Sequence, residues 1–212
     1  MFWYQYVCLG SLCVCVGACL WHFLWLIRLG KPKDLSQKSG NVARAVMYSN
    51  TTAMLPTKKE SAYLHLPAYT AGVIFHIGTF LGLAFFVIFF FAAPALFGEY
   101  SLWKLLIVGV LAASVVCGCI LLLERLISRK LRALSTLDDY ISCLLTTLFQ
   151  LFTGLYLIFG NDLGVYYYLL ASVFLLYIPV GKLRHVVYFF AARYHLGFFY
   201  GWRNSWPPHQ KK

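Results

Sequence analysis

The sequence predicts an all-α integral membrane protein: a bundle of five transmembrane helices, N-terminus outside and C-terminus cytoplasmic. Three observations predict it. Of 212 residues, 61% are hydrophobic and 12% charged, against about 25% charged in soluble domains. Mean hydropathy is +0.72. The apolar residues gather into five runs long enough to cross a bilayer as helix, which takes about 20 residues. A chain of this size reads as one membrane domain, residues 1–212.

The first span is residues 5–28, "QYVCLGSLCVCVGACLWHFLWLIR". It lacks the basic n-region and the small-residue cleavage site of a signal peptide, and Arg28 and Lys31 follow it, so it stays as a span. The second is 68–97, the third 102–124, the fourth 139–160 and the fifth 164–197. Asp138 or Asp139 is expected to cap the fourth, beside the positive end of its dipole. Pro179 predicts a kink within the fifth, because proline removes a backbone donor.

Orientation follows from how the Lys and Arg residues are shared among the connections, in a chain of formal net charge +11. The connection after span one carries Arg28, Lys31, Lys33, Lys38, Arg44, Lys58 and Lys59. The connection after span three carries Arg125, Arg129, Lys130 and Arg132. The chain end carries Lys182, Arg184, Arg193, Arg203, Lys211 and Lys212. The other two connections, "FGEYS" and "GNDLG", are short and acidic. Basic connections stay inside. In this setting basic charge reads as topology and as attraction to anionic lipid or an acidic partner subunit, not as a nucleic-acid site.

The 7 Cys lie in apolar runs without zinc-ribbon spacing and read as small apolar fillers. No nucleophile–base constellation stands out, so catalysis by this chain alone is not expected.

The histidines carry the chemistry. His76 lies deep in span two and His185 in the inner part of span five. An ionisable residue inside a membrane is costly unless paired, so each is a functional candidate. A single histidine in a membrane helix more often hydrogen-bonds a neighbour. A pair on antiparallel helices at similar depth has the arrangement that bis-histidine ligation of haem iron needs. Zinc would want further Cys or carboxylate ligands at that depth, and the sequence offers none. His65 and His76 are eleven residues apart, ~16 Å along a helix and about 20° around it. His185 and His195 are ten apart, ~15 Å. If His76 faces His185, His65 falls near His195, as a possible second haem-iron pair or as inner-surface contacts to haem propionates, lipid headgroups or a partner. Pro67 bears on this, because a helix starting there leaves His65 outside it. His22 reads as interfacial, and His209 has no assigned role.

At "FHIG" in span two and "GKLRHVVYFFAARY" ending span five, the chain resembles the membrane cytochrome b of the respiratory nitrate reductase gamma-subunit type. Cytochromes of sulfite-reduction complexes, heterodisulfide reductases and some membrane hydrogenases belong to the same group. "DDYIS" and "YGWRNSWPP" look more like the sulfite-reduction and heterodisulfide-type relatives. The resemblance covers most of the chain and implies that His76 and His185 ligate a haem b nearer the cytoplasm. Lys182, Arg184 and Arg193 are then placed to neutralise propionates. The nitrate reductase type has a second, outer haem, held about three turns further out on the same helices. Here those regions read "FLGLAFFVIFF" and "GVYYYLLAS", without histidine. Either one haem is present, or a second lies at the inner surface on His65 and His195.

The resemblance implies an electron-transfer subunit working between membrane quinone, menaquinone or ubiquinone, and a cytoplasmic iron–sulfur partner, in the inner membrane of a prokaryote. Glu99, Tyr100, Lys104 and Asp162 are the candidates near the outer side for a quinone carbonyl or its protons. Tyr166, Tyr167 and Tyr168 read as belt or packing residues. The reading from another class is a haem-free membrane anchor or assembly scaffold.

Overall fold

The computed structural model describes residues 2–29, 35–55, 65–91 and 102–208, and among these every regular element is helical. The α-helices are α1 (Trp3–Leu29), α2 (Val42–Asn50), α3 (Leu66–Phe91), α4 (Leu102–Ile127), α5 (Arg129–Leu134), α6 (Leu137–Phe159), α7 (Gly164–Tyr177) and α8 (His185–Trp202). Short 3-10 turns cover Thr52–Met54, Gly160–Leu163 and Lys182–Arg184.

Four helical segments are long and apolar enough to cross a membrane: α1, α3, α4 and the stretch Leu137–Tyr177 that starts with α6. The chain is thus a multi-pass helical membrane protein. The predicted fifth span needs correction. Instead of one kinked helix over 164–197, α7 stops at Tyr177 and α8 starts at His185. Pro179 has no N–H to give the Leu175 carbonyl, and its ring crowds that carbonyl. The backbone N–H groups of Val180 and Gly181 both turn back to the Tyr177 carbonyl, at 3.1 and 2.8 Å. The 14 residues of α7 rise ~21 Å, less than a hydrocarbon core of about 30 Å.

The start of α6 is a second correction. Thr136 is the N-cap, and Asp139 stands at N3. The Thr136 N–H donates to the Asp139 carboxylate at 2.8 Å, which closes a capping box. Arg125 pairs with the same carboxylate at 2.9 Å, and Lys182 pairs with it too. Asp138 instead accepts from the Tyr177 hydroxyl.

The chain divides into two compact units. The first holds residues 1–15 and 66–183. Its helix directions follow from which residues meet. Phe149 stacks on Phe174 at 4.4 Å and Tyr156 on Tyr167 at 4.6 Å, so α6 and α7 are antiparallel. Ser114 meets Gln150 while Gly118 abuts Thr147, so α4 and α6 are antiparallel. Thr79 meets Gln150 and Phe89 meets Tyr156, so α3 and α6 are parallel. Tyr4 stacks on Tyr168 and the Cys8 side chain lies beside Ser172, which sets the first part of α1 parallel to α7.

The second unit holds residues 16–65 and 184–212. Within it α2 lies against α8. A Cβ on Gly197 would come 2.5 Å from the Val46 Cα, and one on Gly201 would come 2.6 Å from the Ala45 Cβ. Only glycine lets the two backbones approach this closely. Trp206 stacks on Tyr200 at 4.5 Å and meets Tyr48 edge-on. The Trp202 indole donates to the Ser36 carbonyl at 2.9 Å.

Candidate functional site

Helices in lipid gain nothing from hiding apolar residues, so small residues and hydrogen bonds mark their packed faces. One face of α3 shows this. Gly78 approaches α4 so closely that a Cβ would strike the Ser114 side chain, and Gly82 rests on Phe149. Beside them, the Gln150 amide donates to the Phe75 carbonyl at 3.1 Å and to the Thr79 hydroxyl at 2.7 Å. Its oxygen accepts from the Ser114 hydroxyl at 2.7 Å. Thr79 in turn donates to the Phe75 carbonyl at 2.7 Å. Ser114 and Gln150 are fully buried. Every polar group of the Gln150 side chain is satisfied, as the low dielectric requires.

This polar knot pins α3 at Phe75, the residue before His76. The imidazole of His76 lies on another face of the helix and is exposed within the described chain. Its Nδ1 stands 2.7 Å from the Gly72 carbonyl oxygen. A carbonyl only accepts, so Nδ1 carries the proton and Nε2 is the lone-pair nitrogen. A Cβ on Gly72 would meet nothing within 4 Å.

The other predicted residues are placed as follows. His185 is the first residue of α8, so it belongs to the second unit, whereas His76 belongs to the first. His65 is exposed and immediately precedes α3, consistent with Pro67 lying in the first helical turn. His195 is half-buried, with Nε2 3.2 Å from the Leu26 carbonyl oxygen. Leu26 lies in the last turn of α1, where carbonyls lack helical partners, so His195 donates a cap to that helix end. His22, one turn earlier, has a buried Nδ1 without a hydrogen-bond partner. Lys182 pairs with Asp139. The guanidinium groups of Arg184 and Arg193 lie over their own helical neighbours, Tyr188 at 5.8 Å and Phe189 at 5.5 Å. Lys104 sits in the first turn of α4 and Asp162 in the turn between α6 and α7. Glu99, Tyr100 and His209 lie outside the described residues.

The segments that would flank an outer haem are packed with rings. Phe86 and Phe89 of α3 lie 6.5 and 5.9 Å from Tyr167 of α7, and Phe90 lies 5.5 Å from Tyr168. Tyr156, Tyr167 and Tyr168 are buried among them. The expectation that Tyr167 and Tyr168 pack is met, and Tyr166 is exposed.

Sequence reasoning missed the knot of Thr79, Ser114 and Gln150. The signal was present: Ser142, Thr146, Gln150 and Thr153 recur at helical spacing within an apolar run.

His76 fits an axial iron ligand. Its tautomer is fixed by a main-chain carbonyl, the usual second-shell arrangement for a ligating histidine, and glycine one turn away leaves room beside it. Among the described residues no three His, Cys, Asp or Glu side chains gather as a metal cluster. No family model, curated protein or solved structure matches the chain.

Proposed function

We propose that this chain is a haem b-carrying membrane subunit of a respiratory oxidoreductase, passing electrons between membrane quinone and a cytoplasmic iron–sulfur partner. In this reading it lies in the inner membrane of a prokaryote, N-terminus outside. The observation that carries the reading is His76: an imidazole on a spanning helix, held by the Gly72 carbonyl with Nε2 left to bind. His185 is the second axial ligand, on the sequence pairing described above. When bound, haem supplies the one-electron carrier, and the protein sets ligation, dielectric and access. Arg184 and Arg193 provide the positive charge for propionates. Lys182 is paired with Asp139 and acts there as a structural cation first. The aromatic packing of Phe86, Phe89 and Phe90 against Tyr167 and Tyr168 supports one haem rather than an outer second.

A pyridine haemochrome assay with protein quantitation tests the reading. One b haem per chain is expected, lost in His76→Ala and in His185→Ala. Normal haem in both variants would sink the ligand assignment. A well-folded preparation without a Soret band would favour the haem-free anchor.

A further inference from the structure

We infer that α2, with the cations Lys38 and Arg44, forms a membrane-surface site for the phosphate headgroups of anionic phospholipid. The inference goes beyond the haem reading and stands without it.

Charge is the first observation. The second unit, residues 16–65 and 184–212, holds twelve Lys and Arg but only two acidic side chains, Asp34 and Glu60. In the first unit the two signs nearly balance, so almost all of the net charge of +11 falls in the second. Among the described residues of that unit there is no Asp or Glu to answer Arg28, Lys38 or Arg44.

The two faces of α2 are the second observation. Val42, Ala45 and Val46 meet α8 at Gly197 and Gly201, and Ser49 is buried on the same face. At about 100° per residue, Arg44 and Met47 point the opposite way, and both are exposed. Leu35 before the helix and Leu55 after it are exposed as well. Bare apolar side chains thus stand among unanswered cations. An acidic peptide would answer only the cations. A lipid surface takes both, the cation at the phosphate and the apolar chain below it. Rings of the headgroup-level kind lie alongside. The Lys38 ammonium stands 6.0 Å from the centre of the Trp202 ring, and Tyr48 of α2 meets Trp206.

Depth agrees. Leu26 lies in the last turn of α1, a helix long and apolar enough to span. His195 donates to its carbonyl, which holds α8 at that level. Gly197 and Gly201, where α2 crosses, lie within ~9 Å of His195 along α8. The headgroup zone outside the hydrocarbon core is about 5–8 Å thick. α2 therefore lies at headgroup level.

The test is titration of the full chain in detergent with phosphatidylglycerol or phosphatidylcholine, with the first bound lipid read by native mass spectrometry. Phosphatidylglycerol should bind in preference. Lys38→Gln and Arg44→Gln should each lower that preference about fivefold. Lys38→Arg and Arg44→Lys, which keep the charge, should retain it. Hydrogen exchange over residues 42–50 should slow in nanodiscs containing phosphatidylglycerol and not in phosphatidylcholine alone. Equal binding of the two lipids, or a preference that survives in the Lys38→Gln/Arg44→Gln double variant, would overturn the site. Protection of 42–50 by polyglutamate but not by phosphatidylglycerol would also overturn it, and would assign the face to an acidic protein.

Discussion

Ser114 of α4 donates its hydroxyl proton to the side-chain oxygen of Gln150 on α6 at 2.7 Å, and neither residue is exposed. That bond joins two helices, and the Gln150 amide carries the connection on to α3. Gln150→Leu should therefore destabilise the bundle by about 1–2 kcal/mol, the upper part of the range for buried hydrogen bonds between membrane helices. Reversible unfolding in mixed micelles measures it. A double-mutant cycle with Ser114→Ala should show coupling of about 0.5–1.5 kcal/mol. Additive effects would mean that the two side chains only share a cavity.

Gly78 makes a second, steric prediction about the same contact. A Cβ there would strike the Ser114 side chain. Gly78→Ala should cost about 1–3 kcal/mol from overpacking. Ser114→Gly removes the atoms in the way, so the double variant should recover at least half of the loss. No recovery would show that the helices meet elsewhere.

Asp139 holds three elements at one carboxylate: the Thr136 cap, Arg125 and Lys182. Asp139→Ala should lower stability by about 1–2 kcal/mol, chiefly through the lost cap. Arg125→Met and Lys182→Met should each cost less than 1 kcal/mol, since Lys182 is about half exposed. Raising salt to about 1 M should shrink the two cation effects and leave the cap effect, because screening acts on separated charges at the surface. Melting temperatures in detergent at two salt concentrations separate these contributions.

His195 gives an expectation about haem number. Its Nε2 carries the proton donated to the Leu26 carbonyl, so that nitrogen is engaged in capping α1. His195→Gln keeps a donor and should retain the full Soret absorbance. Loss of half the haem would instead assign His195 to a second iron. His195→Ala should free the last turn of α1, seen as faster hydrogen exchange over residues 26–29.

The sequence by itself determined the helical membrane class and most helix limits. Twenty-odd apolar residues between basic and polar connections leave the backbone no choice in lipid but to satisfy its own hydrogen bonds as helix. The boundaries at Leu29, Leu102 and Leu137 fall within a few residues of where the hydropathy changes. Pro179 was also legible, but only as a disturbance: the separation of α7 from α8 depends on how Tyr177, Val180 and Gly181 close the turn. His76 and Pro67 could be placed on the second span from the sequence, because depth along a helix is a matter of counting.

Tertiary structure alone decided which face of each helix is packed. In water an amphipathic stripe announces that face. In α1, α3 and α7 apolar residues cover all sides, so the period carries little information. The deciding residues were small or hydroxylic ones such as Gly78, Ser114 and Gly118, and a close approach of two backbones shows only once both are in place. The same holds for the imidazoles. The sequence offered His76 as the leading ligand and His195 as a second-pair alternative, and the structure distinguishes them by the carbonyl each meets: Gly72 at Nδ1 for one, Leu26 at Nε2 for the other. Which nitrogen carries the proton is a property of the partner, and the partner of His195 lies 169 residues away in the chain.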